Sequence, residues 1–149
     1  MRVLVDTNLL TRAADASHPH HGVAKDAISA LAAKGDSPCL VPQNLYEFWV
    51  VCTRPASDNG LGMSTDLVLR RLGDLKQAFD LLDETPAFRP TWEALVTKYS
   101  VQGKSAHDAR LVVAMKVHGL TTILTFNKQH FVRYDGITVL SPEDAQATR

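Results

Sequence analysis

The chain has 149 residues, of which 45% are hydrophobic and 21% are charged. This composition predicts one globular domain over residues 1–149 and excludes a disordered chain. The 16 basic and 16 acidic side chains balance, which excludes a uniformly basic nucleic-acid coat or a polybasic membrane anchor. Two cysteines cannot build a disulfide scaffold. No apolar run approaches the roughly 20 residues of a membrane span or the roughly 7–15 of a signal peptide, so we expect a cytoplasmic protein without membrane association.

Short apolar runs alternate with helical patterns along the chain. The runs at 3–5, 39–41, 121–125 and 137–140 predict buried strands. The periodic segments 21–33, 42–52, 64–82, 91–99 and 106–117 predict helices, with Pro42 in the first turn of one and Ser64 as the N-cap of another. This alternation predicts a three-layer α/β/α domain with a mostly parallel sheet. Ligands of such sheets bind beyond the carboxyl ends of the strands.

Two acids have positions that suit this edge of the sheet. Asp6 directly follows the first predicted strand, where its carboxylate can either line a cleft or cap the helix that begins before Leu9. Glu47 interrupts an otherwise apolar helix face. An exposed glutamate is the more frequent outcome for such a residue taken alone. A buried carboxylate there would need a partner or a metal ion.

Two further polar residues have the same placement. Asp108 opens a predicted helix, where the helix dipole also favours an acid, and Asn127 follows the strand 121–125, where a turn residue is also common. In a parallel α/β fold all four side chains can converge on one cleft. Three carboxylates in one cleft raise one another's pKa, and a divalent cation relieves that repulsion. Oxygen ligands favour Mg²⁺ or Mn²⁺ over zinc.

Four short segments, taken in order, resemble the PIN-domain ribonucleases, and within them the VapC-type toxins of toxin–antitoxin pairs. The segments are LVDTN at 4–8, LYEF at 45–48, DARL at 108–111 and LTFN at 124–127. The resemblance covers nearly the whole chain. It implies a PIN-like fold and a Mg²⁺- or Mn²⁺-dependent endoribonuclease in which Asp6, Glu47 and Asp108 are both catalytic and metal-binding.

The resemblance also implies supporting residues: Thr7, Asn8, Thr125 and Asn127. Thr7 and Thr125 resemble the hydroxyl residues that support the first acid, and Asn8 matches the asparagine that usually follows Thr7. Many members of the family have a fourth acid where this chain has Asn127, so the resemblance implies no charged ligand for a second metal ion at this position. A Thr-x-Asn version of this segment also occurs in the family, often with an Asp-Phe pair shortly after it, and this chain has His130-Phe131 there instead.

The segment 103–133 is the best candidate for contacts with RNA. It carries five basic residues and one acid, a net charge of +4 in a neutral chain, and phosphates require such charge. We expect Lys104, Arg110 and Lys128 to lie nearest the cleft. Solvated helix faces are the alternative for these cations, and an ion pair with a site carboxylate is a further one for Arg110.

Other conspicuous residues have simpler explanations. The aromatic residues Tyr46, Trp49 and Trp92 can stack on bases, although core packing is the more frequent role for Trp49. The histidines at 18, 20 and 21 have no partners at metal-ligand spacing, so we expect them in a loop and a helix start.

The family implies an RNA substrate, a cognate VapB-type antitoxin and a homodimer. Two alternatives remain open from the sequence. A PIN nuclease of RNA processing outside a toxin pair would have the same motifs. A PIN-like RNA- or protein-binding module with a decayed site would retain some of them, and Asn127 and His130 motivate that hypothesis. A phosphotransfer protein using Asp6 is less favoured, because Asn8 replaces the second acid that such phosphatases require.

Overall fold

The structure, a computed structural model, describes residues 1–147, so the last two residues of the predicted domain lie outside the described part. The strands are β1 (Arg2–Val5), β2 (Ser37–Leu40), β3 (Asp80–Leu81), β4 (Thr122–Leu124) and β5 (Thr138–Leu140). The helices are α1 (Thr7–Ala14), α2 (His21–Ala33), α3 (Pro42–Thr53), α4 (Thr65–Ala78), α5 (Phe88–Lys98), α6 (Ser105–His118) and α7 (Pro142–Gln146), with 3₁₀ turns at Ala56–Asp58 and Lys128–His130.

All five strands are parallel and lie in the order β3-β2-β1-β4-β5. Successive side chains of a strand point to opposite faces of the sheet, so the side chains of the central strand β1 pack into two separate cores. Leu4 packs into one core with α5 and α6. Val3 and Val5 pack into the other with α1, α2 and α3. The three-layer α/β/α architecture expected from the sequence is confirmed, and the sheet is entirely parallel.

The helix starts expected from the sequence are also present. Ser64 accepts a hydrogen bond from the backbone N–H of Leu67, and Pro42 is the first residue of α3. The end of α6 is a glycine, Gly119, whose φ of 71° lies in the left-handed region that residues other than glycine rarely adopt. Each of these three residues marks the start or the end of a helix beside the sheet.

The prediction of a single helix over 64–82 is wrong. Helix α4 ends at Ala78, the backbone of Phe79 is extended, and Asp80–Leu81 form the edge strand β3 beside β2. The spacing of Leu75, Phe79 and Leu82 fits a helix, but pairing with Cys39 and Leu40 replaces the last helical turn. Leu72, Leu75 and Phe79 pack against the second core.

Within residues 1–147 no helix is both long and apolar enough to cross a bilayer. Four structural elements bring polar residues to the carboxyl edge of the sheet. These elements are the β1–α1 junction, the first turns of α3, the first turn of α6, and the segment after β4.

Candidate active site

Asp6 is at the centre of the polar cluster at this edge. It is 8% exposed and sits between β1 and α1. Its Oδ1 accepts the backbone N–H of Thr7 at 2.7 Å, and its Oδ2 accepts the hydroxyl of Thr125 at 2.7 Å. Asn8 adds a longer bond of 3.4 Å to Oδ2. Asp6 therefore fills both roles that the sequence left open: it caps α1, and its carboxylate is fixed at the strand end.

Thr7 connects Asp6 to the second acid. Its hydroxyl donates to Oε1 of Glu47 at 2.9 Å and accepts from Nδ2 of Asn44 at 3.1 Å. Asn44 is fully buried, and its amide also donates to the carbonyl of Val5 at 3.1 Å. These bonds lock the start of α3 onto the end of β1. They hold Glu47, which is only partly buried, beside the Asp6 carboxylate.

The three acids interact electrostatically. The pKa of Asp6 is raised from 3.8 to about 6, chiefly by burial and also by the negative charges of Asp108 and Glu47, while the hydrogen bonds from Thr125 and Thr7 act to lower it. Burial likewise raises the pKa of Asp108, and His130 and His107 oppose that change. The structure therefore brings together the three acids that the sequence singled out.

Asp108 is positioned from both sides. The Nδ1 atom of His130 lies 3.3 Å from its Oδ2, an ion pair when the imidazole is protonated. The preceding residue, His107, accepts a bond through its backbone carbonyl from Nε2 of Gln43 at 2.9 Å. This bond ties the first turn of α6 to the first turn of α3, so that Asp108 and Glu47 belong to one framework.

The segment after β4 supports Asp6. Thr125 is fully buried, and its hydroxyl oxygen also accepts the backbone N–H of Asn127 at 2.9 Å. Asn8 spans the gap, since its amide nitrogen lies 3.4 Å from Asp6 and its Oδ1 lies 3.4 Å from the backbone N–H of Phe126. Asn127 joins this network through its main chain, and its side chain adds no charge to the cleft.

The donor set suits a hard divalent cation. No three His, Cys, Asp or Glu side chains within residues 1–147 are arranged to hold one ion together. Mg²⁺, however, is usually bound by one or two carboxylates, with waters and substrate phosphates completing its coordination. Asp6 accepts three hydrogen bonds, and a carboxylate has about four acceptor positions, which leaves one for a cation. The oxygen-only set of Asp6, Asp108 and Glu47 is therefore chemically compatible with Mg²⁺ or Mn²⁺.

The three cations predicted to contact RNA have different environments. Lys104 is exposed at the start of α6. Arg110 pairs with Glu84 at 3.4 Å rather than with a site carboxylate, and Lys128 pairs with Asp144 at 2.9 Å. Arg110 also lines a surface cavity of about 370 Å³ together with Glu47.

Sequence reasoning missed three residues that position the acids: Gln43, Asn44 and His130. Gln43 and Asn44 follow Pro42 at the start of a helix whose neighbouring positions are apolar. Polar residues at such positions are a sequence signal for side chains that point into the fold and bond to neighbouring elements. The contact of His130 with Asp108 joins the 3₁₀ turn after β4 to α6, and nothing in the local sequence indicates it.

A family model described as the PIN domain matches residues 3–137. A search of curated protein sequences finds no match. Among solved structures, a chain of VapBC2 from Rickettsia felis, bound to a DNA fragment from its promoter, superposes with a TM-score of 0.71 at 14% identity, over 95% of this chain and 98% of that chain. VapC20 of Mycobacterium tuberculosis, a toxin that cleaves the sarcin–ricin loop, superposes with a TM-score of 0.60 at 20% identity, over 81% of this chain and 86% of that chain.

A chain of a toxin–antitoxin complex from Klebsiella pneumoniae gives a TM-score of 0.62 at 19% identity, over 94% of this chain and 97% of that chain. These likenesses show that the five-stranded architecture is shared with such chains. The family model spans most of the chain and includes every residue of the site described above. This protein belongs to the PIN-domain family.

Proposed function

We propose that this protein is a Mg²⁺- or Mn²⁺-dependent endoribonuclease and the toxin of a toxin–antitoxin pair. One observation carries the nuclease proposal. Asp6 is a buried carboxylate, fixed by Thr7 and Thr125, whose pKa is raised to about 6 by burial and by the charges of Asp108 and Glu47. A cleft that concentrates unneutralised carboxylates in this way is suited to a divalent cation and a phosphate.

Asp6 and Asp108 are the residues that would hold the cation. When bound, such an ion polarises a phosphoryl oxygen and lowers the pKa of a water molecule, which activates that water for attack on phosphorus. Thr125 and Asn8 orient the Asp6 carboxylate through their bonds to Oδ2. Oε1 of Glu47 accepts a hydrogen bond from the Thr7 hydroxyl. The second carboxylate oxygen of Glu47 is available to orient the attacking water or to accept its proton.

RNA is the proposed substrate. Lys104 is exposed beside the first turn of α6 and is placed to contact a phosphate. Arg110 and Lys128 are proposed to exchange their partners Glu84 and Asp144 for phosphates, because all four of these side chains are at least one-third exposed. Surface ion pairs of this kind contribute roughly 0–1 kcal/mol, so the exchange costs little.

A surface cleft supports the proposal of a protein partner. It has a volume of about 520 Å³ and lies on the face of the molecule formed by α1, α2, α3 and α4. Its lining includes the apolar side chains Leu10, Phe48 and Phe79 and the charged side chains Arg71 and Asp74. We propose that a VapB-type antitoxin occupies this cleft, by analogy with the complexes of Rickettsia felis and Klebsiella pneumoniae.

A homodimer and a cytoplasmic location complete the proposal. Tyr46 and Val50 are 62% and 53% exposed on α3, next to Glu47. This apolar pair would be covered in a dimer or would stack on a base of the substrate. Light scattering of the purified protein measures its oligomeric state directly.

The direct test is cleavage of total bacterial RNA by the purified protein with Mn²⁺, with Mg²⁺ and with EDTA, with Asp6→Asn as the control for contaminating nuclease. Metal-dependent cleavage by the wild type alone supports the nuclease. The alternative of a decayed binding module is supported if RNA binds but is not cut with either metal. Induced expression in a bacterial host separates a toxin from an RNA-processing enzyme. If the protein is a toxin, expression of the wild type arrests growth and expression of Asp6→Asn does not.

A further inference from the structure

Arg12, in the last turn of α1, carries a charge that its surroundings satisfy only partly. Its guanidinium carbon lies 4.6 Å from the centre of the Phe126 ring. Its Nε and Nη1 atoms are buried and have no hydrogen-bond partner among the described residues. Arg12 also forms no salt bridge within residues 1–147. The nearest acid on the following loop, Asp15, accepts the N–H and the hydroxyl of Ser17 instead.

Two histidines extend the aromatic surface beside Arg12. The ring of His20 is nearly parallel to that of Phe126, with 9° between the planes and 5.3 Å between the centroids. The ring of His18 lies 5.4 Å from that of His20 at 51°. His20 is exposed, so one aromatic surface remains open to solvent.

This group is continuous with the acidic cleft. Phe126 stands between Thr125, which donates to Asp6, and Asn127. Its backbone N–H donates to Asn8, which lies one helical turn before Arg12. The loop before α2 and the end of α1 thus form the rim of the cleft on the side of β4.

A partly desolvated guanidinium is costly unless an anion or hydrogen-bond acceptors face it. A cation–π contact offsets only part of that cost. Arginine recognises phosphate through several N–H donors, and imidazole rings provide stacking surfaces for unpaired bases. Arg12, Phe126 and the two histidines therefore combine the two kinds of contact that single-stranded RNA offers.

We propose that Arg12, Phe126, His18 and His20 form a subsite that binds the RNA strand next to the scissile phosphate. Arg12 contacts a backbone phosphate oxygen, and an unstacked base lies on the exposed imidazole of His20. This inference rests on the proposed function for the identity of the ligand. It adds a contact region on the rim opposite to the cations of α6.

Binding is tested by fluorescence anisotropy with a fluorescein-labelled pool of random 12-nucleotide RNA, in EDTA at pH 7.5. The variants are Arg12→Gln and His20→Ala, with Arg89→Gln as the matched control. Arg89 is exposed on α5, a helix that packs against the other face of the sheet. Because the side chain of His20 is exposed, we expect His20→Ala to fold as the wild type does.

We expect Arg12→Gln to weaken binding about 3- to 10-fold and to reduce the slope of log K against log salt by about 0.7, the value for one phosphate contact on a single strand. We expect His20→Ala to weaken binding about 5- to 10-fold, from the loss of one stacking contact. Arg89→Gln binds as the wild type does. A purely structural role of Arg12 would change the melting temperature and leave the salt slope unchanged.

Unchanged affinity of both variants, or no binding by the wild type, overturns the inference. The inference is also overturned if the variants bind RNA as the wild type does and are defective only in binding a protein partner. The proposed function is judged separately by cleavage. If RNA binding depends on Arg12 and His20 but no metal supports cleavage, the subsite stands and the nuclease fails. If the wild type cleaves and both variants keep its KM, the nuclease stands and the subsite fails.

Discussion

The hydroxyl of Thr7 donates to Oε1 of Glu47 at 2.9 Å, although the two residues are 40 positions apart. The N–H of the same residue donates to Oδ1 of Asp6 at 2.7 Å. One threonine therefore sets the relative position of two acids, one at the β1–α1 junction and the other on α3. The separation of these acids decides whether they can act on one cation.

Replacement of Thr7 by valine tests this coupling. Thr7→Val keeps the β-branched shape but removes the hydroxyl, so Glu47 loses its donor and Asn44 loses one acceptor. Loss of a group that orients metal ligands typically costs 10- to 100-fold in activity or metal affinity. We expect kcat/KM for RNA cleavage to fall by about that factor. Thr11→Val, the same change on α1 with a hydroxyl bonded only to a backbone carbonyl, is the control, and an equal loss in both variants would contradict the coupling.

The raised pKa of Asp6 predicts how stability depends on pH. The folded protein holds the proton of Asp6 up to about pH 6, whereas the unfolded chain releases it near 4. Between these values the folded state binds more protons, so this group stabilises the fold below pH 4 and loses that contribution as the pH rises through 6. Asp6→Asn removes the charge and should therefore be more stable than the wild type above pH 6.

The rise in the pKa of Asp6 from 3.8 to about 6 corresponds to at most about 3 kcal/mol, and reorientation of the Thr125 hydroxyl reduces the gain. We expect Asp6→Asn to gain about 1–3 kcal/mol relative to the wild type between pH 4 and pH 7.5. Urea unfolding in EDTA at both pH values measures it. Asp26→Asn, at an exposed position of α2, controls for a general effect of charge. A difference between Asp6→Asn and the wild type that stays constant with pH would contradict the prediction.

Asn127 allows a gain-of-function test. Asn127→Asp is nearly isosteric and adds a carboxylate beside Thr125. The charge count of a site tunes its affinity for divalent cations, so we expect Mn²⁺ affinity to rise by about 3- to 10-fold. The same charge increases repulsion within the cleft, so the variant should be less stable than the wild type in EDTA. Calorimetry and thermal melting measure the two effects, with Asn59→Asp on an exposed loop as the control. Equal Mn²⁺ affinity in wild type and Asn127→Asp would place residue 127 outside the metal's reach.

Asn44 should be among the most sensitive polar residues of the fold. It is fully buried, accepts the N–H of Val41 at 2.8 Å, and donates to Val5 and Thr7. Alanine leaves these groups without partners in the interior, at roughly 1–3 kcal/mol for each unsatisfied group. We expect Asn44→Ala to lose about 2–4 kcal/mol of unfolding free energy in urea, whereas Gln77→Ala, at an exposed position of α4, loses almost none. A loss below about 1 kcal/mol would show that water replaces the amide.

The residues that were predictable share one property: their roles follow from local sequence. The alternation of strands and helices determined the architecture, because burial on both faces of a parallel sheet requires apolar strands. Asp6 was predictable because it ends a strand. The edge strand β3 was not, because Asp80–Leu81 are two residues long and continue a leucine spacing typical of a helix.

The partners of the site residues were the least predictable part. Arg110 and Glu84 are 26 positions apart, and Lys128 and Asp144 are 16 apart. Such ion pairs depend on how helices pack, which no local pattern encodes. The contact of His130 with Asp108 has the same origin. The sequence therefore identified the acids but not the residues that hold them.

The proposed nuclease requires that Asp6 and Asp108 bind a divalent cation, with Glu47 beside them. The most direct test is calorimetric titration of the metal-free protein with Mn²⁺ at pH 7.5. We expect specific Mn²⁺ binding by the wild type, its loss in Asp6→Asn and Asp108→Asn, and unchanged binding in Asp135→Asn, because Asp135 is an exposed acid paired with Lys98. An absence of Mn²⁺ binding by the wild type, or equal binding in all four proteins, would contradict it.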